Sequence, residues 1–203
     1  MPMKELVLAT RNMHKVEELK SLLADASVQV LSLRDFPDMP EVEETGVTFA
    51  ENAELKAKAT VQATGKIALA DDSGLEVDAL NGEPGVYSNR FGGPGATDAD
   101  KYMRILELLE GVPDEKRTAR FRASIAISTP AGDTFIVDGV CEGRIAHSPR
   151  GEKGFGYDPI FFIPDLGKTM AELLPEEKNT ISHRGKALQA SREILAVVLN
   201  DAT

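Results

Sequence analysis

The stretch that most constrains the fold of this chain is Ile67–Leu75, in which an apolar run is followed by two aspartates, a serine and a glycine. The apolar run predicts a buried strand, and ionised carboxylates at the end of such a strand must be paired, bound to a metal ion or neutralised. We expect the strand to end at Asp71 and Asp72, and we expect Gly74 to permit a sharp turn after them. The alternative is an ordinary strand-end turn in which an aspartate side chain accepts hydrogen bonds from the backbone.

Successive side chains of a strand point to opposite faces of the sheet, so Asp71 and Asp72 should face different ways. One carboxylate can then hold the local backbone while the other faces a cleft. The stretch alone leaves both interpretations open, and the other motifs of the chain decide between them.

The composition indicates a globular protein, either a single domain over residues 1–203 or two closely packed lobes with no separable linker. The chain has 203 residues, of which 42% are hydrophobic and 28% are charged, and these values are ordinary for such proteins. Its apolar runs are too short to cross a bilayer, and its first ten residues lack the apolar segment of a secretory signal. We therefore expect no contact with a membrane and a cytoplasmic location.

The formal net charge of −10 argues against a surface for nucleic acid, although a local basic pocket can still bind a small anion. Cys141 is the only cysteine and lies in a strand-like run, so we expect it to pack in the core of a protein from a reducing compartment. The three histidines, His14, His147 and His183, are scattered and argue against a structural zinc site.

The first motif with chemical meaning joins a short apolar strand, residues 4–10, to an amphipathic helix that follows a polar turn over residues 10–15. The free backbone N–H groups at such a helix start form a natural anion site, to which Lys15 can add a full positive charge. Asn12 can fix the turn. The alternative is a capped helix start with no ligand.

The remaining periodicities predict the architecture. A capping pattern at Thr48 opens a long helix that Gly65 closes, and Thr97 opens another. Alternating residues over 120–129 and 134–145 predict a β-hairpin, and a single helix is expected at the end of the chain. We therefore predict an α/β protein with a mixed central β-sheet flanked by helices. The glycine-rich segment Asn81–Gly95 is too punctuated for regular structure and is a candidate functional loop or partner surface.

Two further motifs lie in the last third of the chain. Gly154 and Gly156 flank Phe155, and glycines beside an exposed ring allow a flat ligand such as a base to stack on it. The alternative is a turn before the buried strand 160–163. The second motif, at residues 182–184, gathers several hydrogen-bond donors at a helix start, which suits an anion or a carbonyl oxygen.

Six motifs occur in one order over nearly the whole chain. They are Thr10-Arg11-Asn12-Met13-His14-Lys15, Glu43-Glu44-Thr45-Gly46, Phe49-Ala50-Glu51-Asn52-Ala53 with Lys56, Ala70-Asp71-Asp72-Ser73-Gly74, Phe155-Gly156-Tyr157-Asp158 and Ser182-His183-Arg184. Each is weak alone, but together they are highly specific and resemble the inosine triphosphate pyrophosphatase family, most closely its bacterial members. The chain departs from the family at Arg11, where glycine is common, but it keeps Thr10, Asn12 and Lys15.

The resemblance implies a Mg²⁺-dependent hydrolase that converts inosine, deoxyinosine and xanthosine triphosphates to the monophosphate and pyrophosphate. Such an enzyme keeps deaminated purines out of DNA and RNA. The fold it implies is an α/β sheet protein with two lobes around a central substrate cleft. The assembly it implies is a homodimer.

The resemblance also implies the roles of individual residues. Glu43 and Asp72 would hold Mg²⁺, and Asp72 would also accept a proton from the attacking water, while Lys15 and Lys56 would neutralise the triphosphate. Phe155 would stack on the purine, and a buried donor such as Arg184 would favour the C6 oxygen of hypoxanthine over the amine of adenine. The residues expected to bind the substrate are Thr10, Arg11, Asn12, Met13, His14, Lys15, Ser73, Phe155, Gly156, Tyr157, Asp158, Lys178, His183 and Arg184.

Three other functions compete with this one. A nucleotide sensor would keep the pocket without the chemistry, but the acids Glu43 and Asp72 with Lys15 and Lys56 favour an enzyme. A pyrophosphatase for modified pyrimidines or methylated bases is a second rival, against which Phe155 and the 182–184 motif favour purines. A purely structural role would not explain why the chain contains the Asp-Asp-Ser-Gly and Phe-Gly-Tyr-Asp motifs.

Overall fold

The computed structural model describes residues 4–24 and 28–201 as a mixed α/β fold. Its elements in chain order are β1 (Lys4–Leu8), α1 (Met13–Leu22), β2 (Val28–Ser32), α2 (Phe49–Thr64), β3 (Ile67–Val77), α3 (Asp98–Leu108), β4 (Thr118–Ser128), β5 (Thr134–Ile145), β6 (Phe161–Ile163), β7 (Lys168–Thr169), α4 (Pro175–Ile181), α5 (His183–Ala190) and α6 (Arg192–Asp201). Over these described ranges the strands form one sheet of seven, in the order β2-β1-β3-β4-β5-β6-β7.

The sheet is mixed, as predicted. β1 runs parallel to β2 and to β3, pairing Leu6 with Val30 on one side and with Ile67 on the other. β6 runs antiparallel to β5 and to β7. The parallel pair β1 and β2 is connected through α1, since parallel neighbours need a crossover. β4 and β5 are neighbours in the sheet joined by residues 129–133, in agreement with the predicted hairpin.

The predicted helix boundaries are confirmed where capping residues set them. The hydroxyl of Thr48 accepts a hydrogen bond from the backbone N–H of Glu51 at 3.2 Å, which satisfies a donor that the first helical turn leaves open. Gly65 ends α2 with a φ of 66°, a left-handed conformation that glycine adopts without steric cost. Thr97 and Asp100 form a reciprocal capping box at the start of α3.

The chain divides into two compact units, each with its own apolar core. The first comprises residues 1–72, 123–139 and 184–203, and the second comprises residues 73–122 and 140–183. Leu6, Leu69 and Ile125 are fully buried in the core of the first unit. Ile105 and Phe161 are fully buried in that of the second, where Cys141 also packs, as expected of a lone cysteine in a strand. The expectation of two lobes around a cleft stays a prediction.

Two predicted element ends are wrong. β3 does not end at Asp71 and Asp72 but continues through Ser73 and Gly74 to Val77, because both carboxylates are buried and paired within the first unit. The expected single last helix is divided into α5 and α6 at Ser191. That serine is fully buried, and its hydroxyl donates to the carbonyl oxygen of Leu188, a bond that competes with the helical pattern.

The glycine-rich segment Asn81–Gly95 is irregular, as predicted, apart from a 3-10 turn at Gly85–Tyr87. It is fastened to β3 by Ser88, whose hydroxyl accepts from the backbone N–H of Leu75 at 2.9 Å and donates to the carbonyl oxygen of Gly85 at 2.6 Å. Within residues 4–24 and 28–201, no helix has the length and apolar character that crossing a membrane requires.

Candidate active site

Asp71 and Asp72 lie side by side in β3 and contact different partners, as the alternation of a strand requires. Asp71 belongs to what we call the Asp71 cluster, formed by Lys15, Glu18, Asp71 and Arg184. Asp72 belongs to the Asp72 cluster, formed by Glu44, Asn52, Lys56 and Asp72. All eight residues lie in the first unit. The acid pair is therefore a centre of charge and not a simple turn.

In the Asp71 cluster, one carboxylate is shared by two cations. Oδ2 of Asp71 lies 2.7 Å from Nζ of Lys15 and 3.2 Å from Nη2 of Arg184, and the Asp71 side chain is fully buried. The other arm of the Arg184 guanidinium, Nη1, contacts the carboxylate of Glu18. Arg184 thus bridges two acids in the planar two-pronged manner that a lysine cannot reproduce.

Burial disfavours the ionised form of Asp71, but the nearby guanidinium of Arg184 and ammonium of Lys15 outweigh that cost and hold the pKa of Asp71 well below its ordinary value. Burial likewise lowers the pKa of Lys15, and the neighbouring cations Lys56 and Arg184 add to the effect, against the attraction of Asp71. The carboxylate of Asp71 therefore stays ionised, and its negative charge is what permits two cations to be buried together.

In the Asp72 cluster, one ammonium is shared by two carboxylates. Nζ of Lys56 lies 2.8 Å from an oxygen of Glu44 and 2.8 Å from Oδ1 of Asp72. It also donates to the backbone carbonyl of Asp71 at 3.0 Å. Burial would lower the pKa of Lys56, but the carboxylates of Asp72 and Glu44 outweigh it and raise that pKa above its ordinary value.

Asp72 differs from Asp71 in the balance of these effects. Burial is the largest influence on Asp72 and raises its pKa above the ordinary value, although Lys56 and Lys15 oppose the change. A carboxylate with a raised pKa is a stronger proton acceptor than an exposed one. The two adjacent acids are therefore tuned in opposite directions, and only Asp72 is suited to take up a proton.

The helix start at α1 is capped by its own chain. The side-chain oxygen of Asn12 accepts from the backbone N–H groups of His14 at 3.0 Å and Lys15 at 3.4 Å, and the Thr10 hydroxyl accepts from the N–H of Asn12. The guanidinium of Arg11 donates to the carbonyl oxygen of Met39 at 2.6 Å, which gives this departure from the family pattern a structural role. The capped-helix interpretation is thus realised, and binding of phosphate here stays a prediction.

The predicted base-binding residues other than Arg184 lie in the second unit. Oδ2 of Asp158 accepts from the backbone N–H of Phe155 at 2.9 Å and from Nζ of Lys178 at 2.7 Å. The same ammonium lies 5.0 Å from the centroid of the half-buried Phe155 ring, a cation–π distance. Asp158 therefore fixes both the ring and the lysine.

Gly154 has a structural reason to be glycine. Its φ is +75°, and a Cβ there would lie only 2.0 Å from Oδ2 of Asp158. The absence of a side chain thus allows the Asp158 carboxylate to reach the turn, which differs from the expected role of admitting a ligand. The backbone N–H of Gly156 donates to Asp98 at 2.7 Å, which ties the turn to the start of α3.

Tyr157 and His183 are both buried in the second unit. The Tyr157 hydroxyl donates to the carbonyl oxygen of Ser88 at 2.8 Å, and burial together with Asp98 raises its pKa. The His183 ring stacks on Phe121 with the ring centroids 4.8 Å apart. These contacts account for both side chains structurally, and their predicted contacts with a purine stay predictions.

Several predicted residues lie away from the contacts just described. The side chain of Glu43 is exposed, and the acid that reaches Lys56 is its neighbour Glu44. His14 is exposed, while Met13 and Ser73 are half-buried. Among the described residues, no group of three or more histidine, cysteine, aspartate and glutamate side chains is placed to hold a metal ion.

The sequence reasoning missed Glu18, Glu44 and Asn52 as members of the two clusters. Two of them carry a helical signal: Glu18 follows Lys15 by three positions on α1, and Asn52 precedes Lys56 by four positions on α2. Residues at these spacings share one face of a helix. A search for polar residues at helical spacing from the two lysines would have found both.

The fold and the two clusters together define a class of protein. It is a mixed α/β protein in which buried acids and lysines gather at one strand, and such a group suits the binding of a polyanion and an accompanying cation. The chain belongs to the Ham1 family, whose model matches residues 6–194. This finding confirms the resemblance drawn from the six motifs.

Individual relatives cover nearly the whole chain. A dITP/XTP pyrophosphatase of Geobacillus kaustophilus is 56% identical over 186 residues, which span 92% of this chain and 91% of that protein. A dITP/XTP pyrophosphatase of Desulforamulus reducens is also 56% identical, over 94% of this chain and 95% of that protein. The structure of a HAM1 protein from Coxiella burnetii matches with a TM-score of 0.85 at 48% identity and covers 98% of this chain and all of the other.

Proposed function

We propose that this chain is a nucleoside triphosphate pyrophosphatase that hydrolyses the non-canonical purine nucleotides dITP, ITP and XTP to the nucleoside monophosphate and pyrophosphate. The observation that carries the proposal is its 56% identity, over more than nine-tenths of the chain, with two proteins named dITP/XTP pyrophosphatase. Such an activity removes deaminated purine nucleotides before a polymerase can incorporate them into DNA or RNA.

In this reaction, Asp72 accepts a proton from the water that attacks the nucleotide. Its raised pKa favours this role. Mg²⁺ held by the same carboxylate would lower that pKa, so part of the activation would come from the acidity that the metal gives to a bound water. Its two carboxylate oxygens are held by different donors, Lys56 on Oδ1 and Asn52 on Oδ2. The water oxygen ends on the monophosphate product, and the bond to the pyrophosphate group breaks.

Lys15 and Lys56 compensate the charge of the triphosphate. Their ammonium groups lie near each other, since both approach the backbone carbonyl of Asp71, at 3.5 and 3.0 Å. Negative charge moves toward the pyrophosphate leaving group as the bond breaks, so cations fixed in advance stabilise the transition state more than the ground state. Asp71 keeps Lys15 in place for this task.

The donor set around Asp72 fits Mg²⁺. Mg²⁺ is commonly held by one or two carboxylates together with substrate phosphates and water, and does not need a cage of three protein acids. Asp72 and Glu43 are the proposed ligands, and Glu44 already brings a second carboxylate of the same loop to the Lys56 ammonium that Asp72 contacts. When bound, Mg²⁺ would neutralise phosphate oxygens and make a bound water more acidic.

The purine is proposed to stack on Phe155, whose ring is half-buried beside Lys178. Hypoxanthine and xanthine present an acceptor oxygen at C6, whereas adenine presents a donor amine. A fixed donor that faces C6 meets an acceptor on hypoxanthine and xanthine but not on adenine, and this difference should cost adenine about 1–3 kcal/mol of binding free energy. Lys178 and Arg184 are the proposed donors. Arg184 contacts Asp71 and Glu18, which favours a structural role for it besides any contact with the base.

The expected form of the enzyme is a cytoplasmic homodimer, with the glycine-rich segment Asn81–Gly95 as the candidate contact. The segment carries Tyr87, which is 59% exposed. Light scattering on the purified protein tests the assembly, and Tyr87→Ser should raise the monomer fraction if this segment forms the contact.

The function is tested by measuring pyrophosphate release from dITP with Mg²⁺, beside dATP, dGTP and a chelator control. We expect fast, metal-dependent release from dITP and little from the other two nucleotides. Binding of dITP without any release would instead favour a nucleotide sensor. Equal release from dATP would remove the proposed selectivity at C6.

A further inference from the structure

We propose that Asn52 is a positioning residue, which fixes the direction of the Asp72 carboxylate and links it to the loop that carries Glu43 and Glu44. Asn52 lies in α2, four residues before Lys56, and its side chain has no solvent exposure. The proposal rests on the proposed function, since it assigns Asn52 a part in the reaction for which Asp72 is the proton acceptor.

The first observation is that the two oxygens of Asp72 have different donors. Nδ2 of Asn52 lies 3.3 Å from Oδ2, and Nζ of Lys56 lies 2.8 Å from Oδ1. The terminal torsion of an aspartate is broad and roughly two-fold, so one donor leaves the carboxylate free to rotate. Two donors on two oxygens select one orientation, and therefore select where the base meets its water.

The second observation is that Asn52 is itself held at its other end. Its Oδ1 accepts from the backbone N–H of Gly46 at 2.8 Å. An asparagine amide has one acceptor end and one donor end. Turning it over would direct an oxygen at the Asp72 carboxylate and an NH₂ group at the N–H of Gly46, so both bonds would be lost. The amide can therefore occupy only one orientation.

The third observation is the lack of space at Gly46. A Cβ there would lie 2.7 Å from Oδ1 of Asn52, 2.7 Å from Cβ of Glu51 and 2.9 Å from the backbone nitrogen of Asn52. Its φ lies outside the left-handed range, so glycine is needed here for close approach and not for backbone conformation. The loop thus lies directly on the start of α2, and Asn52 connects its backbone to Asp72.

Loss of this amide should slow the reaction more than it weakens nucleotide binding. Asp72 is only 2% exposed, so water cannot freely replace a missing donor, and the carboxylate would turn toward Lys56. A small misplacement of a reacting group costs up to about 100-fold in rate. The cations proposed to bind the phosphates, Lys15 and Lys56, keep their acids when Asn52 is replaced.

The test compares steady-state hydrolysis of dITP with Mg²⁺ by the wild type, Asn52→Leu and Asn52→Asp, with urea unfolding of each. Asn52→Leu keeps the size and removes both bonds. Asn52→Asp keeps the acceptor for Gly46 but replaces the donor to Asp72 by a second carboxyl group, which adds charge repulsion to the loss of the bond. Thr60→Val is the matched control, because Thr60 is an equally buried polar residue of α2 whose hydroxyl donates to the backbone carbonyl of Lys56.

We expect kcat to fall about 10- to 100-fold in both Asn52 variants, with KM within about threefold and the protein folded at the assay temperature, and Thr60→Val to stay within about twofold in both constants. Should Asn52→Leu fail to fold, Asn52→Ala takes its place, because it removes the same two bonds without adding a charge. A folded Asn52→Asp protein with wild-type kcat would overturn the positioning role and leave the proposed function standing. A wild type that releases no pyrophosphate from dITP would remove both proposals together.

Discussion

Two groups in this protein both pair arginine with aspartate and glutamate side chains, but they differ in burial. The Asp71 cluster lies in the first unit, and side-chain exposure in it runs from 0% at Asp71 to 17% at Glu18. The second unit carries what we call the Arg120 network, formed by Glu76, Asp78, Arg120, Arg122 and Glu142. Exposure there runs from 22% at Arg120 to 67% at Glu142.

Judged by hydrogen-bond geometry alone, the Arg120 network is better paired than the Asp71 cluster. The guanidinium of Arg120 meets both oxygens of Asp78, at 2.8 and 3.0 Å, and also contacts Glu142 at 3.1 Å. Water and salt screen these exposed pairs, so each contributes little to stability. A buried pair is different, because removing one partner leaves a desolvated charge without compensation. Burial, and not the number of ion pairs, therefore decides which of the two groups contributes more to stability.

The largest effect expected from a difference in burial is on turnover, and it lies in the Asp72 cluster, which is buried beside the Asp71 cluster. Asp72→Asn removes the only proposed proton acceptor while preserving shape, so we expect kcat for dITP to fall about 10²- to 10⁴-fold. Asp78→Asn is the matched control, because it makes the same change in the exposed network and should leave kcat unchanged. Pyrophosphate release at saturating dITP measures both. A folded Asp72→Asn protein with a rate near that of the wild type would exclude Asp72 from the mechanism.

The second effect is on stability. Asp71→Asn leaves Lys15 and Arg184 buried without their shared carboxylate, so we expect the free energy of unfolding to fall by about 3–5 kcal/mol. Urea unfolding at neutral pH gives this quantity directly, with Asp78→Asn again as the control. If the two variants lost equal stability, burial would not be what distinguishes the two groups.

A smaller effect should follow from Arg184→Lys. A lysine can keep one of the two acids, Asp71 or Glu18, but not both in the present geometry, and losing a hydrogen bond to a charged group costs about 1.5–3 kcal/mol. Urea unfolding and the KM for dITP should be measured on the same variant. A large rise in KM with unchanged stability would instead support the predicted contact of Arg184 with the purine.

The sequence predicted the architecture well, because its signals are local. The caps at Thr48 and Thr97 and the alternation of β4 and β5 each depend on residues close together in the chain. The end of β3 was predicted wrongly. Two adjacent aspartates in solvent would favour a turn, whereas here cations from remote parts of the chain keep both aspartates buried within the strand. Arg184 lies 113 positions from Asp71 in the chain, and no local pattern reveals such a pairing.

The site was predicted in its residue types more than in its contacts. The sequence predicts Lys15, Lys56 and Asp72 as catalytic residues, and the structure places each in a buried acid–base cluster, while their part in catalysis stays a prediction. Lys56 is contacted by Glu44 and not by its neighbour Glu43. The choice depends on how the extended loop is rotated, and a sequence with two adjacent glutamates does not specify that rotation. Periodicity gives the face of a helix or strand, but it does not give the direction of a side chain in a loop.

The smallest effect is expected at Asp78, and its dependence on pH and salt sharpens the comparison. Hydrogen bonds from Arg120 and Thr118 lower the pKa of Asp78 in the folded protein. A lowered folded pKa contributes stability that is present above the ordinary value and is lost as the pH falls through the folded value. For this exposed pair the contribution should be only about 0.2–1 kcal/mol at neutral pH. Asp78→Asn should therefore differ slightly from the wild type at pH 7, and the difference should shrink as the pH falls below about 4.

Raising the salt concentration from about 0.05 to 0.5 M should also shrink the Asp78 difference, because exposed charges are screened over a few ångströms at high ionic strength. The Asp71→Asn difference should change little with salt, since water and ions do not reach that side chain. Urea unfolding of both variants at the two salt concentrations measures this. A salt-sensitive loss at Asp71 would mean that solvent enters the Asp71 cluster, and burial would then not distinguish it from the Arg120 network.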